Sequence, residues 1–385
     1  MVSKMLAFRP FFAGAVLIAI LVMIAWMGVY LFHLPIDVSP ISTFQWHAHE
    51  MIFGYAMAVI AGFLLTAAGN WTGQETLAGA WLAWLFSSWL LARLLMLAGT
   101  QLIGWAALAD MLFMLGLGIA VTRPIVSVRQ KRQAPVLLMV GLLTAANALF
   151  YLGATGLLSQ GANWGIYGGL YMVLGMVLFM GSRVIPFFTE RGVGYSVEIK
   201  NFRWNDVTMF ILYPLFLLSE VFNPNHTTGA ALAAGLAISN SIRVFGWYTA
   251  GIWKKPLLWG LFAAFIMIIL GFGLRALALV STMPTFIPVH AFAVGGVGMI
   301  TIAMMARVTL GHTGRNIHQA PAIVTPMLAS MLLAAIVRVF LPLIAPSHYT
   351  LWVSVSAFLW ILSFVFFASA YIPMLLKPRV DGKPG

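Results

Sequence analysis

Four histidines stand where they could do chemistry. His47 and His49 are two apart and His49 runs directly into Glu50, His290 opens a second apolar run, and His312 sits in a Gly-His-Thr-Gly turn. Neutral imidazole is the commonest metal ligand, and haem iron in a chain without cysteine takes histidine most simply. Cysteine is absent, which excludes disulfides, thiolate metal sites and Cys-held iron–sulfur clusters. Three arginines, Arg93, Arg275 and Arg338, lie inside apolar runs near their ends. A guanidinium fork pairs carboxylates well, so such a set would suit the propionates of a buried haem. The same arginines could instead join Glu50, Asp110 and Glu220 as ion pairs between helices, or reach toward headgroups. Both readings stay open at the level of sequence.

Spacing limits what each histidine can share. Residues two apart on a helix point about 200° from each other, so His47 and His49 address different neighbours. Gly54 and Gly298 follow His47 and His290 on the same helix faces, where a flat macrocycle could approach the backbone; close helix packing is the ordinary use of such glycines. His312 lies roughly 33 Å beyond His290 along a helix, so the two cannot hold one ion. With His318 and Arg315 it forms a separate loop, readable as a cation or anion site or as a turn. His33, His226 and His348 read as solvated, and the 22 methionines read as apolar packing rather than a copper set.

The elements that must position these groups are membrane helices. Hydrophobic residues make up 62% of the 385-residue chain and charged residues 8%, too apolar for a soluble fold with a charged exterior. A bilayer core needs roughly 20 apolar residues per helix. Runs of that kind occur near 10–32, 47–68, 77–98, 101–122, 134–155, 164–188, 206–222, 228–252, 256–279, 288–309, 320–343 and 349–376. The expectation is an all-α polytopic bundle of about twelve transmembrane helices, one membrane domain over 1–385, with no cleaved leader. Ionisable residues inside such spans are costly and read as functional by default. Glu50, Arg93, Asp110, Glu220, Arg275, Arg338 and three of the histidines gather in the outer half, with Arg243 nearer mid-membrane.

The net charge of +12 is a topology signal, with no nucleic-acid partner implied. Lys4 and Arg9 precede the first span. Arg123, Arg129, Lys131 and Arg132, then Arg191, Lys200 and Arg203, then Lys254 and Lys255, then Arg307 and Arg315, and finally Lys377, Arg379 and Lys383 follow at alternate connections. The loops 33–45, 156–162, 223–227, 280–287 and 344–348 carry neither Lys nor Arg. The positive-inside rule then places both termini in the cytoplasm. His-Ala-His-Glu and Val-His-Ala at the starts of spans 2 and 10, and Gly-Ser-Arg and Met-Ala-Arg at the ends of spans 6 and 10, are compatible with three four-helix repeats.

Several stretches resemble the NnrS family. They are Trp46-His47-Ala48-His49-Glu50-Met51-Ile52-Phe53-Gly54-Tyr55 with Asn70-Trp71-Thr72-Gly73, Phe8-Arg9-Pro10-Phe11-Phe12, Ser182-Arg183-Val184-Ile185-Pro186, and His290 through Gly295, Gly296, Gly298 and Arg307 to Gly311-His312-Thr313-Gly314-Arg315. The resemblance implies a twelve-helix bacterial inner-membrane protein that contains haem, of b type, and copper. It also implies a role in the response to nitric oxide and nitrosative stress, beside denitrification. By the same resemblance His47, His49, His290 and His312 are the ligand candidates. Phe262 stands where many relatives carry His, so a ligand role there is lost. The competing functions are a haem redox enzyme acting on nitric oxide and a haem-free transporter of small anions or metal complexes. Against oxidase-type chemistry, spans 6 and 7 contain no His.

Overall fold

A computed structural model describes residues 6–222, 226–281 and 283–383. Twelve helices are long and apolar enough to cross a membrane, and there is no strand among the described residues. They are α1 Phe8–Phe32, α2 Thr43–Thr72, α3 Gly79–Leu97, α4 Ile103–Ser127, α5 Lys131–Ala154, α6 Gly161–Gly192, α7 Arg203–Phe222, α8 Thr227–Trp247, α9 Pro256–Leu279, α10 Phe286–His312, α11 Val324–Ile344 and α12 Pro346–Leu376. In lipid each backbone polar group must be satisfied within its own segment, and the helix does this. Leu17, Leu21 and Ile24 stay exposed along one face of α1; such a stripe suits acyl chains. Lys4 and the residues 223–225 of one uncharged loop fall outside the described residues, as does the side chain of His226.

The chain divides into two compact units. The first comprises Met1–Val173, Thr309–Arg315 and Tyr371–Gly385; the second comprises Leu174–Val308 and Asn316–Ala370. In the first unit α1 packs on α2, α3 on α4, and α4 on both α2 and α5. In the second, α8 packs on α7 and α9, and α10 on α9 and α11.

The two histidine-bearing helices depart from the sequence expectation in the same way. Each starts earlier than its apolar run, because a polar or aromatic first turn extends it. Ser42 and Gln45 cap α2 reciprocally: Gln45 N–H donates to Ser42 Oγ, and Ser42 N–H donates to Gln45 Oε1. His47 and His49 are therefore inside the helix rather than at its opening. Directly after them the ladder widens to a π-helix over Glu50–Ala56 before α-helix resumes at Met57. In α10 the first turn Phe286–His290 is followed by a π-helix over Ala291–Gly298. π-helical turns are rare and concentrate at functional sites. Both helices are well enclosed, with 83% and 72% of their apolar windows buried, so their polar residues face protein more than lipid.

Candidate functional site

His49 lies at the centre of a buried polar network that joins α2, α3, α4 and α5. Its Nδ1 is 3.0 Å from Glu50 Oε1, and its Nε2 is 3.0 Å from Asn147 Oδ1 and 3.7 Å from Asp110 Oδ2. The ring stacks on Phe150 with centroids 4.0 Å apart. Arg93 completes the set: Nη2 donates to Asp110 Oδ2 at 2.5 Å, and Nη1 is 3.1 Å from Glu50 Oε1. The Tyr151 hydroxyl donates to Asp110 Oδ2 at 3.1 Å. His49, Glu50, Arg93 and Asp110 are all at most 2% exposed. Charges this deep persist only when paired and hydrogen-bonded.

Of the two readings the sequence left open for Arg93, this network is the ion pair between helices. Arg93 is committed to two carboxylates, and His49 faces oxygen on both ring nitrogens, so neither is presented to a cofactor in this arrangement. Gly54 also has another use. A Cβ there would stand 3.2 Å from Arg93 Cδ and Nη1, so the glycine admits the arginine, not a macrocycle. Its carbonyl accepts a hydrogen bond from Trp89 Nε1 at 3.0 Å, within the π-helical stretch of α2. Asn147 and Tyr151 had not been singled out in the sequence. The signal was present, since Asn147 is an amide in the middle of an apolar run, where polar groups are costly.

His47 points the other way, as the two-residue spacing requires. Its ring stacks on Trp26 of α1 at 4.6 Å, and Phe44 packs edge-on against the same indole. His312 belongs to the first unit, its ring 5.6 Å from Phe8 and its carbonyl receiving Arg379 Nη1 at 2.9 Å. His318 belongs to the second unit.

In the second unit Arg275 is bound to Glu220, Nη2 to Oε1 at 2.7 Å with Nε 3.0 Å from both carboxylate oxygens. Arg243 meets Asp206 at 2.6 Å. Arg338 differs. It is 9% exposed, Nη2 donates to the Tyr349 hydroxyl at 3.0 Å, and buried Nη1 has no hydrogen-bond partner among the described residues. Its guanidinium lies 5.3 Å from the centroids of both Phe286 and Tyr349.

Phe286 also touches His290. The His290 Nδ1–H donates to the Phe286 carbonyl at 2.7 Å, and the two rings meet edge to face at 6.5 Å. A neutral ring so fixed carries its lone pair on Nε2, the orientation common in metal-ligating histidines. Gly298 is covered, since a Cβ there would meet Trp360 at 2.5 Å. Of the four histidines and three arginines singled out in the sequence, His49 and Arg93 meet in the first unit, and His290 and Arg338 flank Phe286 in the second. Arg275 is held apart by Glu220, and His47 by Trp26. Among the described residues no three His, Asp or Glu side chains are placed to share a metal ion.

No curated protein matches the chain. The family model described as NnrS protein matches residues 4–379. That match runs over nearly the whole sequence, through both the ion network of α2–α5 and the His290–Arg338 pair, and the chain belongs to the NnrS family.

Proposed function

We propose that this chain is a haem-binding protein of a bacterial inner membrane, with both termini in the cytoplasm, serving the response to nitric oxide. The observation that carries the haem reading is the pair around Phe286: His290 with its Nδ1–H on the Phe286 carbonyl, and buried Arg338 with an unsatisfied Nη1 over the same ring. These residues fit the group in kind. His290 would ligate through Nε2, and Arg338 would neutralise a propionate with a charge-assisted hydrogen bond. Haem, when bound, supplies an iron that accepts a small apolar gas, which partitions readily into lipid. The roles of the chain itself are to fix the tautomer of His290, to hold a cation beside it, and to exclude water through Phe286, Tyr349 and the packed core of Met267, Ile287, Ala291, Ala335 and Val339.

Copper fits less well. His49 faces oxygen on both nitrogens, and the described residues offer no shared three-ligand set. A copper role for His47, His49 or His312 rests on the family resemblance alone.

The test is optical. Purified protein should show a Soret band that moves on adding nitric oxide. The His290→Ala variant should lose or alter that band while eluting as a folded, monodisperse protein, and Arg338→Gln should retain haem less well. Full haem content and an unchanged spectrum in His290→Ala would remove His290 as an axial ligand.

A further inference from the structure

A second site lies away from these histidines, entirely within the second unit. A cavity of about 150 Å³ is lined by Arg307 of α10, Lys254 and Lys255 at the start of α9, and His318 and Gln319 beyond the end of α10. We propose that this cavity binds a phosphate-type oxyanion, either the headgroup phosphate of an anionic lipid or free phosphate. The inference does not depend on haem.

Arg307 carries the argument. It is 7% exposed and lines the cavity. Its guanidinium sits 3.8 Å from the centroid of the Phe188 ring. Among the described residues it makes no ion pair and no hydrogen bond. Arg93, Arg243 and Arg275 each meet a carboxylate; Arg307 has none, and no Asp or Glu lines the cavity. A buried guanidinium without a counter-ion is costly, and an anion from outside the chain removes that cost. Phe188 covers one face of the planar fork and leaves its edge donors for an anion, the geometry that suits phosphate oxygens.

The wall adds to this. Lys255 caps α9, its carbonyl accepting from Leu258 and Trp259 N–H at 2.9 and 3.0 Å, with Pro256 in the first helical position. The positive end of α9 therefore lies in the cavity wall, with Lys254 and Lys255 among the lining residues. By the scale on which one water needs roughly 10–15 Å³, the space holds about ten waters, ample for a tetrahedral oxyanion with part of its hydration. Lys254 is exposed, and Gln319 adds a neutral amide to the lining residues.

The experiment uses the full chain, stripped of lipid in detergent. Inorganic phosphate is titrated by calorimetry, and phosphatidylglycerol retention is read by native mass spectrometry. Arg307→Gln, Arg307→Lys and the double variant Lys254→Gln/Lys255→Gln, at one exposed and one half-buried lysine, are compared with the parent, with elution profile and tryptophan fluorescence as folding controls. Saturable phosphate binding that falls roughly tenfold or more in Arg307→Gln, partly recovers in Arg307→Lys and weakens in the lysine pair supports the proposal, with free phosphate as the source. No phosphate binding, but phosphatidylglycerol retained by the parent and lost in the same variants, supports it with lipid as the source. The lysine pair keeps the test decisive should Arg307→Gln fail to fold. Neither ligand binding, chloride competing as well as phosphate, or binding indifferent to the substitutions overturns it.

Discussion

Replacing Arg93 with glutamine should be among the most destabilising single changes in the first unit, and replacing Asp110 at the same time should rescue part of the loss. Arg93 is 1% exposed and Asp110 fully buried, with Nη2 and Oδ2 2.5 Å apart. At an effective dielectric of about 20, unit charges about 4 Å apart attract by about 4 kcal/mol. Removing one member of a buried pair strands the other, at about 3–5 kcal/mol. Arg93→Gln leaves Asp110 with only the Tyr151 hydroxyl and the edge of His49, and it also takes the cation from Glu50. Asp110→Asn leaves Arg93 with Glu50 alone and should cost slightly less. The double variant removes both charges, so its loss should fall short of the sum of the singles by about 2–3 kcal/mol. Equilibrium unfolding in mixed micelles, followed by tryptophan fluorescence, measures all four corners of the cycle, and Trp89 reports locally through its hydrogen bond to the Gly54 carbonyl. Losses that add within about 0.5 kcal/mol would show that the two residues do not interact, and the network described around His49 would be wrong.

Further outcomes follow from other contacts. In Gly229→Ala the new methyl falls on Glu220 Oε1 and Arg275 Nη2, so the variant should lose about 1–3 kcal/mol; Gly273→Ala, with open space at its Cβ, should gain up to about 1 kcal/mol, and an equal effect of the two in thermal denaturation would count against the ion pair. Arg9 donates to the carbonyls of Leu375 and Lys377 at 2.7 Å each, so Arg9→Gln should loosen the end of α12, read as faster hydrogen exchange over residues 375–380 and no change elsewhere. Asp381 is held down to about 2 by the Arg379 guanidinium, with oxygens 2.6 and 2.9 Å away. A depressed carboxyl stabilises the docked tail above its ordinary value of about 3.9 and loses that contribution as pH falls toward 2. A spin label at Lys383→Cys should therefore gain mobility between about pH 4 and 2, and Asp381→Asn should be mobile already at neutral pH; equal mobility at pH 2 and 6 in the parent would remove the linkage.

The sequence alone determined the membrane class and the number of spans, because lipid imposes one local rule on every crossing segment: roughly 20 apolar residues with the backbone satisfied inside the helix. It also determined that His47 and His49 face apart, since helix geometry is local. The motif residues carried the family, which the match over residues 4–379 establishes. The partners of Arg93, Arg275 and Arg338 were not legible, because three similar guanidinium groups at similar positions differ only in which carboxylate the packing brings near. Glu50 and Asp110 reach Arg93, and Glu220 reaches Arg275, while Arg338 is left with a hydroxyl and two rings. The π-helical stretches after His49 and His290, the filling of Gly54 by Arg93, and the unmatched charge of Arg307 over Phe188 were equally beyond reach. Each depends on which distant side chain fills a given space, and only the tertiary structure decides that.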